Sequence, residues 1–169
     1  MKKHLILCLL FALFTGELAA QELITNVYGR SVRSLNGKWN AIVDLYDQGH
    51  RMEVYKNMSP QGNTDFYEYS FENGLRLNVP GDWNSQMPEL KYYEGTIWYA
   101  RHFDARREPG KRQFLYFAAV SYRSRVYLNG VEIADHEGGF TPLQEEVTDL
   151  LNEGDNFLTV EVNNRRIKD

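Results

Sequence analysis

In 124-SRVYLNGVEIA-134, Asn129-Gly130 separates two short runs in which apolar and polar residues alternate. A residue pair that tolerates positive φ between alternating runs defines a two-residue hairpin, because that turn's twist matches the strands it joins. The same pattern recurs along the chain. Trp39 to Tyr46 places Trp39, Ala41, Val43 and Leu45 on one side, the period of a half-buried strand. Leu75 to Val79 alternates and is stopped by Pro80-Gly81. Ile97–Phe103 and Gln113–Val120 are rich in aromatic and β-branched residues. Phe114 to Val120 is apolar on both faces and reads as a central strand. Phe157 to Val162 alternates, with Leu158, Val160 and Val162 inward. Residues 21–34 read as an extended lead-in, and Gln48–Asn73 as short strands and loops broken by Gly49, Pro60 and Gly62. Helical hints are confined to turns near Met87–Leu90 and Thr148–Leu151. Short strands, frequent turns and almost no helix predict an all-β, antiparallel β-sandwich.

The first twenty residues form a separate element. Lys2 and Lys3 precede an apolar run from Leu5 to Phe14, which ends at Gly16-Glu17-Leu18-Ala19-Ala20. That order is the layout of a secretory signal peptide, and the run is short for a bilayer span. Residues 1–20 are therefore expected to direct the protein to a secreted or periplasmic location, leaving 21–169 as one domain. The only cysteine, Cys8, lies in this leader. The exported part must then hold together through its core, without disulfides. It carries 17 basic and 22 acidic residues, a balance that argues against nucleic acid or an anionic membrane as partner.

Three blocks carry a resemblance. The first is Ser34-Leu-Asn-Gly-Lys-Trp39 with Asp44 and Gly49. The second is Val79-Pro-Gly-Asp-Trp-Asn84 with Tyr92-Tyr-Glu-Gly-Thr-Ile-Trp-Tyr99 and Phe103. The third is Val126-Tyr-Leu-Asn-Gly-Val131, His136-Glu-Gly-Gly-Phe-Thr-Pro142, Val147-Thr-Asp-Leu-Leu151 and Gly154-Asp-Asn156. In this order they resemble the N-terminal sugar-binding domain of glycoside hydrolase family 2, the β-glucuronidases, β-galactosidases and β-mannosidases. The β-glucuronidase branch is the nearer one, through the Tyr-x-Gly-x-x-Trp-Tyr block. The resemblance implies a galactose-binding-domain-like jelly roll, truncated before its last strand or strands. It also implies that an immunoglobulin-like domain and a (β/α)₈ barrel carrying both catalytic glutamates lie outside this sequence. No catalytic residue, metal or redox cofactor transfers to this chain. The partner it implies is a carbohydrate substrate shared with that barrel.

The acidic run from Glu137 to Asp155 tests that view. Retaining glycosidases place two carboxyl groups roughly 5–5.5 Å apart across one sugar. Glu145-Glu146 are sequence neighbours, which on a regular strand face opposite ways. Asp149 reads as a cap on the turn after Val147, and Glu153 and Asp155 as solvated loop charges. The four histidines, at 4, 50, 102 and 136, show no metal-ligand spacing.

The candidate substrate-binding residues are Trp83, Asn84, Tyr93 and His136. Sugar rings lay their C–H faces on aromatic planes, so Trp83, Trp98, Tyr92, Tyr93 and Tyr99 near Asn84 offer a platform. The competing reading places Trp39 and Trp98 in the core and Trp83, after the Pro-Gly break, at a surface or interdomain contact. His136 either donates to a sugar hydroxyl or hydrogen-bonds backbone at the Gly138-Gly139 turn, and the second is favoured.

Overall fold

The computed structural model describes residues 24–58 and 69–166. Contacts divide the chain into a unit ending at Val32 and a unit from Arg33 onward. The first, where described, is a single 3₁₀ turn, Val27–Gly29, with the Asn26 side chain accepting from Gly29 N. The expected signal peptide lies outside the described residues.

Among its described residues the second unit has eight strands: β1 (Gly37–Asp44), β2 (Leu75–Val79), β3 (Thr96–Ala105), β4 (Phe114–Phe117), β5 (Arg123–Leu128), β6 (Val131–Glu137), β7 (Leu143–Glu146) and β8 (Gly154–Asn163). All described pairings are antiparallel. Six strands form one sheet in the order β2-β1-β3-β8-β5-β6, and β4 pairs with β7 in a small second sheet. The expected antiparallel β-sandwich is what forms. Between the sheets Leu115 and Leu143 meet Trp39, Ala41, Leu77, Ile97, Val126, Leu128, Leu158 and Val160, all buried. A fully buried Leu or Ile side chain contributes about 1.5–3 kcal/mol, so this layer is the main source of stability.

The β5–β6 hairpin forms where Asn129-Gly130 places it, with φ of 52° and 83° at the two turn residues. Asn129 also reaches beyond its turn. Its Nδ2 donates to Leu150 O and to Asn156 Oδ1, both at 2.9 Å, and its Oδ1 accepts from Phe157 N. Asn156 is fully buried and closes the loop before β8, accepting from Asn152 N and donating to Asn152 O and Gly154 O. These two asparagines lock the hairpin tip to the β7–β8 connection.

Three strand expectations are corrected. The Phe114 strand is not central: it ends at Phe117, pairs only with β7 among the described residues, and leaves Ala118 and Ala119 exposed. Its Tyr116 face meets solvent, and the Arg112 guanidinium covers the Phe114 ring at 5.0 Å, so aromatic content here does not signify burial on both sides. The central strands are the ten-residue β3 and β8. Second, Leu45 is 59% exposed, because β1 ends at Asp44 where the chain turns.

Third, β1 and β8 are buried on both faces. Ile42, Trp98, Ala100, Tyr127 and Phe157 form a second cluster on the outer side of the large sheet, under Val54 and Phe71. The 48–57 segment is fastened over that face by Asp44, only 1% exposed. Gln48 N and Tyr69 Oη donate to its Oδ1, and Gly49 N and Trp98 Nε1 to its Oδ2, at 2.7–3.0 Å. Four donors on one buried carboxylate balance the cost of removing it from water.

Candidate sugar-facing rim

Antiparallel order brings one end of five strands together: the exits of β1, β8 and β6 and the entries of β3 and β5. Among the described residues ten large hydrophobic side chains are exposed. Five of them, Leu45, Tyr46, Tyr92, Tyr122 and Phe140, lie within a few residues of these strand ends. Four aromatic side chains, Tyr46, Tyr92, Tyr122 and Phe140, are thereby exposed near this end of the sheet.

The rim is stitched by backbone and side-chain bonds. Tyr122 N donates to Asn163 O, and Gly138 N donates to Tyr122 O. Gly95 and Asn164 exchange two bonds, Gly95 N to Asn164 Oδ1 at 2.9 Å and Asn164 N to Gly95 O at 3.1 Å. Arg165 N donates to Asn163 Oδ1, Asn163 Nδ2 to Thr96 Oγ1, and Thr96 Oγ1 to Asp47 Oδ1. Asp47 Oδ2 then accepts from Arg165 Nη1 at 2.5 Å, completing a circuit through the buried Thr96. Arg166 Nε lies 3.2 Å from Glu94 Oε1. An open cleft of about 310 Å³ is lined here by Ser121, Tyr122, Asn164, Arg165 and Arg166.

Of the candidate residues, Trp83, Asn84 and Tyr93 come together behind this rim. Trp83 opens the short helix α1 (Trp83–Gln86), capped by Asp82, whose Oδ1 accepts from Ser85 N. At 5% exposure Trp83 belongs to the core, which corrects the expected surface contact. Its indole N–H donates to Tyr93 O, and its ring packs beside Tyr93 and Tyr99 at 6.4 and 6.5 Å. The Pro-Gly break directs it inward because α1 folds back against β2, where the Gln86 side chain bonds both backbone groups of Asn78. Asn84 Nδ2 donates to Leu90 O and Tyr93 O, so it braces the loop before β3. Tyr93 Oη donates to Thr96 O, and burial pushes its phenol up. Tyr99 is shifted the same way, first by burial and then by the Asp82 charge.

His136 follows its favoured reading: its Nε2 is 3.2 Å from Gly138 O and 3.3 Å from Thr141 Oγ1. An added Cβ at Gly139 would stand 3.0 Å from Ser121 Oγ, a tight approach. Trp39 and Trp98 are core, as expected, at 3% and 0% exposure.

The acidic run is occupied structurally. Glu145 and Glu146 sit on β7 in regular register, and Arg112 grips Glu146 at 2.8 Å. Asp149 pairs with Arg107 instead of capping the turn, where Thr148 Oγ1 accepts from Gln113 N. Asp155 lies on β8 and pairs with His102. Sequence reasoning passed over His50, whose Nε2 is 2.7 Å from Glu161 Oε2 and 2.8 Å from Arg125 Nη1, with its ring against Trp98 at 5.0 Å. Its partners lie 75 and 111 residues away, so no local pattern announces them.

Residues 32–168 match the family model described as glycosyl hydrolases family 2, sugar binding domain. The chain belongs to this family. Within family 2 it is similar to a β-glucuronidase of Paenibacillus borealis, 27% identical over 80% of this chain and 21% of that protein. It is also similar to a β-galactosidase of Thermoanaerobacter pseudethanolicus, 30% identical over 83% of this chain and 18% of that protein. A solved β-glucuronidase from Ruminococcus gnavus in complex with D-glucuronic acid superposes with a TM-score of 0.65 and 27% identity, covering 78% of this chain and 21% of that one. The chain thus spans about a fifth of the length of the family 2 relatives it matches. Among the described residues no helix is long and apolar enough to cross a membrane.

Proposed function

We propose that this chain is the N-terminal sugar-binding and buttressing domain of an exported β-glycosidase. That enzyme hydrolyses β-glucuronides or β-galactosides, and its two catalytic glutamates lie outside this sequence. The observation that carries the reading is the family 2 sugar-binding match over residues 32–168. The placement of the acidic residues supports it. No pair on β7 faces a common substrate, and Glu146 and Asp149 are each held by an arginine. Export is read from the layout of residues 1–20, the acidic balance argues against nucleic acid or an anionic membrane as partner, and the family match supports carbohydrate.

Two other readings compete: a free-standing carbohydrate-binding module, and a β-sandwich without ligand. The aromatic rim favours a domain that meets sugar, against the ligand-free sandwich. Calorimetric titration of the purified chain with methyl β-D-galactoside and methyl β-D-glucuronide tests this. Saturable heat with either glycoside supports a sugar-contacting domain. No heat with either at millimolar concentrations removes the sugar-binding part and leaves a buttress alone.

A further inference from the structure

The rim cleft has a composition that selects its ligand. It holds two arginines, yet each already has a carboxylate, Arg165 on Asp47 and Arg166 on Glu94. Its charges therefore balance, and a free anion gains no net attraction there. What remains is planar polar groups on Arg166 and Asn164 beside Tyr122, a residue 41% exposed. A pyranose is the complement. Its adjacent hydroxyls each donate and accept, and its C–H face lies on an aromatic plane. The volume, about 310 Å³, falls near the lower end of the roughly 300–1,000 Å³ found for small-molecule sites.

The cleft is also held in shape before any ligand arrives. Asn164 is fixed by its two bonds to Gly95, and Arg165 by the Asp47–Thr96–Asn163 circuit. Gly138 N anchors Tyr122 O. Groups positioned in advance lose little freedom on binding, which matters for a small polar ligand with few contacts. By contrast, Trp83, Asn84 and Tyr93 spend their polar atoms on backbone.

We infer that this cleft holds an uncharged pyranose residue of a glycan, with Tyr122 under its face and Arg166 and Asn164 on its hydroxyls. The inference rests on the sugar-binding reading and gives that reading a location. Titrating the full chain with methyl β-D-galactopyranoside, methyl β-D-glucopyranoside and methyl β-D-glucuronide, followed by amide NMR, tests it. Saturable shifts at the Tyr122, Asn164 and Arg165 amides are expected with the two uncharged glycosides, and they persist in about 0.5 M salt, where charge attraction is screened. Tyr122→Ala and Arg166→Ala each weaken binding about two- to ten-fold, the loss of one neutral contact. Tyr116→Ala, on the small sheet, changes nothing.

Shifts confined to other residues, binding indifferent to both rim substitutions, or binding of the glucuronide alone that salt abolishes would each overturn the inference. Arg166 is 84% exposed, so Arg166→Ala remains decisive if Tyr122→Ala fails to fold. Calorimetric binding without rim shifts rejects this location and leaves the sugar-binding reading standing.

Discussion

Trp98 Nε1 donates to Asp44 Oδ2 at 3.0 Å, and Gly49 N donates to the same oxygen at 2.7 Å. This one carboxylate joins the middle of the large sheet to the segment that covers its outer face. Asp44→Asn keeps the shape but offers one acceptor oxygen where two stood, and turns an amide toward two of the four donors. Two buried donors without partners cost about 2–4 kcal/mol. A urea titration is expected to show a lower midpoint with unchanged slope.

Gly49 is 5 residues beyond Asp44 and leaves no room for a side chain. A Cβ there would enter the Trp98 indole and stand 2.8 Å from Asp44 Oδ2. Gly49→Ala is expected to destabilise by about 1–3 kcal/mol, because the indole is fully buried and has nowhere to move. Near-ultraviolet circular dichroism should report the displaced tryptophan while strand content persists.

The hairpin asparagine has two roles that substitution separates. Asn129→Gly keeps the positive φ and loses the three side-chain bonds to Leu150, Asn156 and Phe157. Asn129→Ala loses both. If the network matters, Asn129→Gly alone costs about 1–3 kcal/mol. Asn129→Ala adds a further ~1 kcal/mol of backbone strain. Equal stability of Asn129→Gly and the wild type in thermal melts would show that only the turn matters.

Three carboxylates contribute to the acid limit. Hydrogen bonds from Arg112 and Thr148 hold Glu146 below its ordinary range, and those from Ser85 do the same for Asp82. Partial burial opposes ionisation of Asp135, but Arg125 and Arg123 outweigh it. Each group is lowered in the folded state, so the unfolded chain binds its proton first on acidification. Their contribution is present above the ordinary carboxylate range and is lost as pH falls through the lowered values, below about pH 4. Thermal midpoints should be level near neutrality and fall below that point. Glu146→Gln should lower the neutral midpoint slightly and leave the midpoint at low pH nearly unchanged, which flattens the acid limb.

Asn129-Gly130, the alternation around Leu75–Val79 and the run before Asn163 were legible because each depends on neighbours in sequence. Phe114–Val120 misled because its aromatics pack against Arg112 and one core face, and an apolar string does not say how many partners a strand has. Trp83 misled for a related reason: a Pro-Gly break marks where a chain turns, not which way the next side chain points. Of the rim, only Tyr92 was legible. Tyr46, Tyr92, Tyr122 and Phe140 lie in four separate segments, and only strand order brings those segments to one end. His50 and Glu161 meet for the same reason.

A domain that presents sugar without performing the chemistry is tested most directly by hydrolysis. Purified chain is incubated with chromogenic β-glucuronide and β-galactoside, alongside Glu145→Gln and Glu146→Gln. The expected result is no turnover above background for any of the three proteins. Turnover that scales with wild-type chain and disappears in either variant would place catalysis within these residues and contradict the proposed role.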